Sequence, residues 1–142
     1  MEQILFQIYR YITYKLRAKS VYHIHSPFVF LFYYNVVVRK ESKNVSNTPK
    51  KSLLYRHIHD YLDRFTIIDF SPERSSLNYR QITDNNNTIL LFKDLNKDFQ
   101  TFHYWKTFLS QRHNLIFLDF YYLGVVIHND SIKGQYHLTC KI

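Results

Sequence analysis

Three carboxylates, Asp69, Asp94 and Asp119, each follow a short run of β-branched or aromatic residues. Strand ends are where open α/β sheets place the acids that hold ribose or polarise a substrate, so each is a candidate ligand. The alternative for each is a turn or helix cap. The stretch Phe65 to Phe70 followed by Ser71-Pro72-Glu73-Arg74-Ser75 reads as a buried strand entering the turn that would receive a nucleotide's phosphates or ribose. That turn contains no glycine, the residue that lets a backbone approach a ligand closely. Among the histidines, His57 and His59 sit two apart on an expected helix, about 200° from one another, and cannot converge on one ion. His23 and His25 can converge if extended, but no third ligand is identifiable, and no metal is expected. Cys140 stands alone near the C-terminus, a small core or edge residue and not a reactive thiol.

These residues need elements to position them. Ile4, Leu5, Ile8, Tyr11, Ile12 and Leu16 recur at helical spacing over about 3–18, with Arg10, Lys15, Arg17 and Lys19 on or near the other side. The apolar face is expected to pack on the domain. Ser26 and Pro27 suit a helix N-terminus, starting a second, aromatic helix that runs to Val38. A polar stretch from Arg39 to Lys51 reads as a linker, and Leu53, Leu54, Ile58, Tyr61 and Leu62 predict a third amphipathic helix. Strands are predicted at 65–70, 88–93, 115–120 and 125–128, with a helix carrying Trp105 between the second and third. Gly124 relieves a tight connection, and 135–141 is expected as an antiparallel strand at the sheet edge.

Composition narrows the class. The chain has 142 residues, 46% hydrophobic and 18% aromatic, enough for one globular core. Residues 1–60 hold ten Lys or Arg against three acids, a balance of +7, and 61–142 only +1. The basic end makes RNA a candidate partner through Arg10, Lys15, Arg17, Lys19, Arg39 and Lys40. A lone cysteine, no apolar run of membrane-spanning length and no signal-peptide pattern point to the cytoplasm.

His25-Ser-Pro-Phe-Val-Phe30 resembles the H-S-P-F-V-F signature of a family of bacterial class I S-adenosylmethionine-dependent methyltransferases. Thr66 to Ser75 is similar to that family's first strand and cofactor loop, of the form I-L-E-L-G-T-S-x-G. Leu90 to Asn96 looks like its later strand ending in D-D-I-H, and Asp119 to Gly124 with the last strand looks like its C-terminal hairpin. The resemblance implies a shortened Rossmann-like mixed sheet, with a basic helical region and linker over 1–50 and a truncated core over 51–142, forming one compact domain with an antiparallel C-terminal hairpin.

It also implies S-adenosylmethionine as cofactor, with Asp69, Ser71 and Ser75 around it and Asp94 near the acceptor. The departures weigh against turnover. Ser71 and Ser75 stand in place of the loop glycines, Lys93 replaces the first acid of D-D, and Asn96 replaces the histidine. The βα units that would wall the adenosine are missing between 76 and 87. The expectation is a degenerate, non-catalytic member that acts through binding or assembly, as an oligomer or with a protein partner, and holds no cofactor. The alternatives are a minimal methyltransferase that completes its site by oligomerisation and a basic RNA-binding module.

Overall fold

A computed structural model of the chain describes residues 1–19, 27–38, 54, 56–59, 65–74, 80–82, 85, 87–110, 115–128 and 136–140. The expectations placed on His23, His25, Ser26, Arg39, Lys40, Ser75 and the linker lie outside these residues.

Continuous apolar runs become the centre of a five-stranded mixed sheet. Its strands are β1 (Thr66–Asp69), β2 (Thr88–Lys93), β3 (Leu115–Asp119), β4 (Leu123–His128) and β5 (Tyr136–Thr139), in the spatial order β1-β2-β4-β3-β5. Every residue of β3 and all but the last of β2 and β4 are buried. A strand covered on both faces has no polar side to alternate with, so it reads as unbroken Val, Ile, Leu and Phe.

Alternation sorts the side chains between two layers. Ile89, Leu91, Ile116, Leu118, Val125 and Ile127 face α2 (Pro27–Tyr33), through Val29 and Phe32, and the helical residues Leu54 and Ile58. Leu90, Phe92, Leu115, Phe117 and Val126 face α3 (Phe99–Ser110), through Trp105 and Phe108. α2 begins at Pro27 as its sequence predicts, and it continues as a π-helical turn over Tyr34–Val38. α3 begins where Asp98 Oδ1 accepts the Thr101 N–H at 2.7 Å, a side-chain cap that satisfies an otherwise open donor.

Three expectations are corrected. β1 is an edge strand, with Thr66 and Asp69 exposed, because among the described residues only β2 pairs with it. β5 does lie at an edge, but it runs parallel to β3. The reason is topological: β4 is antiparallel to both β2 and β3 and fills the place between them. The chain leaves β4 at the amino end of β3, and the free side of β3 is then reached by a strand running the same way.

The third correction concerns α1 (Glu2–Arg17). Its apolar residues were expected to pack inward; instead Phe6, Arg10 and Tyr14 are buried, while Ile4, Leu5, Ile8, Tyr11, Ile12 and Leu16 are exposed. Phe6 meets Phe99 and Phe102 of α3 edge-on and tilted, at 6.1 and 5.8 Å between centroids. At the other end the Tyr14 hydroxyl donates to the Cys140 carbonyl at 2.6 Å. The side of α1 that fits the body is thus aromatic and polar, and the buried charge at Arg10 decides which way the helix faces.

Candidate functional site

The carboxyl ends of the parallel strands carry the residues singled out by chemistry. At the end of β1, Asp69 Oδ2 accepts from Lys93 Nζ at 2.9 Å, both side chains about half exposed. The parallel register sets Asp69 beside Leu91, two residues before Lys93, within reach of a lysine side chain. An ion pair this exposed contributes at most about 1 kcal/mol, so its importance is in the charge it cancels and not in stability. Immediately after, the glycine-free turn contains a 3-10 segment at Pro72–Arg74, with Ser71 half-buried ahead of it.

Asp94 follows β2 in a turn at φ 61°, and its carbonyl accepts the Lys97 N–H at 2.8 Å. Asp and Asn take this left-handed region more readily than other side chains do. Asp94 therefore has the turn duty that is the alternative to ligand binding for such an acid.

The third acid makes the most developed arrangement. Asp119, at the end of β3, is buried and pairs with Arg10 of α1, Nη2 to Oδ1 at 2.5 Å. The same guanidinium nitrogen donates to the Tyr121 carbonyl at 3.0 Å, and Asp119 Oδ1 also accepts the Tyr121 N–H at 2.9 Å. Arg10 stacks over Phe102 at 4.7 Å and lies 5.5 Å from the Tyr121 ring. Its Nε, buried, has no hydrogen-bond partner. Tyr121 itself sits at φ 70°, unfavourable for a bulky side chain. The contacts just named hold it there, together with Tyr14 at 5.1 Å and Tyr11 at 6.0 Å.

Tyr121, and not Gly124, thus takes the special conformation in the β3–β4 connection. Gly124 answers a different demand: a Cβ on it would lie 2.7 Å from Trp105 Cζ3 and 3.0 Å from Leu95 Cδ1.

Between α1, α3 and β5 is a cavity of about 30 Å³ lined by Arg10, Arg17, Trp105, Lys106, Asp119 and His137 among others. A water needs about 10–15 Å³ of such space, so the cavity has room for two or three and not for an adenosyl group. Partial desolvation lowers the pKa of His137, against an opposing pull from Asp119. Burial pushes the Cys140 thiol well up, as expected of an inert core sulfur.

Of the candidate residues, the structure brings Asp69 next to Lys93 and Arg10 onto Asp119, leaving Asp94 in its own turn. Arg10 is corrected from a surface phosphate contact to a buried ion-pair partner, because the carboxyl end of β3 supplies its counter-charge. Lys15, Arg17 and Lys19 are exposed, with Lys15 Nζ 5.4 Å from the Tyr11 ring. No cluster of His, Cys, Asp and Glu among the described residues can hold a metal, and no described helix is long and apolar enough to cross a membrane. Sequence reasoning missed Tyr121 and Tyr14 as partners of the Arg10 pair; no motif signals them. Comparison with protein families, characterised proteins and solved structures finds none that matches this chain.

Proposed function

We propose that this chain is a degenerate methyltransferase-like protein that acts through binding or assembly and does not turn over S-adenosylmethionine. The observation that carries this reading is the Asp69–Lys93 ion pair at 2.9 Å. By the resemblance in sequence, Asp69 would be the acid beside the cofactor and Lys93 stands where an acid near the acceptor would be. The departure at Lys93 engages a retained acid: a lysine placed among site carboxylates takes Asp69 as its partner. A hydroxyl of ribose would then have to compete with an ammonium for the same oxygen. The 3-10 turn at Pro72–Arg74 supports the same reading, because a loop without glycine approaches a ligand's carboxylate less closely than the glycine-rich loop it stands in for.

Isothermal titration with S-adenosylmethionine and with its demethylated product is the test. No heat of binding up to about 1 mM, a free energy weaker than about −4 kcal/mol, is the expected result. Micromolar affinity for either compound overturns the proposal and restores the minimal enzyme, with Asp69 holding cofactor.

A further inference from the structure

The cavity between α1, α3 and β5 lies at the carboxyl ends of two parallel strands, the place where open α/β sheets receive ligands. Asp119 and Thr139, the last residues of β3 and β5, are paired in register and line its buried floor with Trp105. Arg17, Lys106 and His137 are exposed and form its rim.

Charge is unbalanced there. Among the described residues that line the cavity, Asp119 is the one acid, and Arg10 already takes it. Arg17 ends α1 and Lys106 belongs to α3, and neither has an ion-pair partner among the described residues. Lys106 Nζ and the Arg10 guanidinium lie 5.8 and 4.7 Å from the same Phe102 ring, which holds the lysine beside the cavity. Both rim cations are near enough to His137 to disfavour its protonation. Below them Thr139, 9% exposed, has a hydroxyl that makes no hydrogen bond among the described residues. Buried hydroxyls are normally satisfied, so the partner has to come from within the cavity.

We infer that this cavity binds free phosphate or the terminal phosphoryl group of a small molecule, held by Arg17, Lys106, His137 and Thr139. A phosphoryl group carries a charge of about −1.5 to −2 at pH 7 and three acceptor oxygens. The two unpaired cations match that charge. Space for two or three waters admits two or three of the oxygens, and the rest of the ligand stays at the open rim. Arg17 offers a planar fork to two oxygens and Lys106 a point charge, while the Thr139 hydroxyl gains its acceptor. Asp119 does not oppose the anion, because the Arg10 guanidinium cancels its charge. A nucleic-acid backbone fits less well, since a single charge on each phosphate leaves one of the two cations uncompensated. The site uses neither Asp69 nor Lys93. S-adenosylmethionine has no phosphoryl group, so this inference and the non-catalytic reading fail separately.

Isothermal titration of the full chain with inorganic phosphate in Tris buffer at pH 7 tests it, and a dissociation constant below about 1 mM is expected. Ribose 5-phosphate in a second arm separates the sources: tighter binding than phosphate marks a phosphorylated small molecule as the ligand, and equal or weaker binding marks free phosphate. Arg17→Gln and Lys106→Gln, both at exposed positions, should each weaken phosphate by at least about tenfold with an unchanged urea midpoint. Lys15→Gln, which removes a charge of α1 that does not line the cavity, should change it by less than about twofold. In proton NMR, saturating phosphate should move the His137 midpoint upward, because an anion beside the ring favours its charged form. No heat and no movement of His137 up to about 10 mM phosphate overturns the proposal. Binding indifferent to Arg17→Gln and Lys106→Gln, or weakened as much by Lys15→Gln, overturns it as well. A single-stranded RNA oligonucleotide that binds more tightly than phosphate and loses affinity equally in all three variants also overturns it, and identifies the basic end as a diffuse polyanion surface.

Discussion

Replacing Arg10 by methionine isolates the group that orients α1. Methionine keeps an unbranched apolar stem beside Phe102 but removes the guanidinium. Asp119, 5% exposed, is left with the Tyr121 N–H at 2.9 Å in place of the ion pair, and the Tyr121 carbonyl loses its donor. Removing one member of a buried ion pair costs about 3–5 kcal/mol, chiefly because the other charge remains desolvated. A domain's whole stability is about 5–15 kcal/mol, so the loss should be plain in urea titration and on the order of 10 °C in melting temperature. Asp119→Asn should lose a similar amount by stranding the guanidinium. The double variant Arg10→Met/Asp119→Asn buries neither charge and should recover much of the loss, with a coupling energy of about 2–3 kcal/mol. Trp105, the chain's single tryptophan and buried beside Phe92 and Phe117, reports unfolding by its fluorescence. A single substitution that costs less than about 1 kcal/mol, or losses that simply add, would refute the account of Arg10 as the buried partner of Asp119.

Three further outcomes follow from the packing. Gly124→Ala should destabilise the fold by about 1–3 kcal/mol in the same titration, because its methyl would meet the Trp105 ring edge at 2.7 Å inside a close-packed layer. Cys140 should resist a thiol-reactive disulfide reagent in the native protein and react once urea unfolds it; rapid native labelling would contradict its complete burial. His137 should titrate in proton NMR with a midpoint below 6.5, since desolvation disfavours its charged form. The unfolded chain then binds the proton more tightly, so this group's contribution to stability is fully present above pH 6.5 and declines as pH falls toward the folded midpoint. The effect should be small because the side chain is only partly desolvated and Asp119 opposes the shift, and a midpoint above 6.5 would reverse its sign.

Local physics made most elements legible from the chain alone. Apolar runs at 88–93 and 115–119 suit strands covered on both faces, and Pro27 marks a helix start because the first turn needs no N–H there. The glycine-free turn after Asp69 was equally plain. Three things depended on contacts between distant residues: the placing of β4 between β2 and β3, the direction of β5, and the side of α1 that turns inward. Periodicity says that a helix has two unlike faces, and it leaves open which one the body accepts. Here a carboxylate 109 positions away from Arg10 decided it. A buried charge must find its partner, whereas an apolar face left outside loses only the gain of burial.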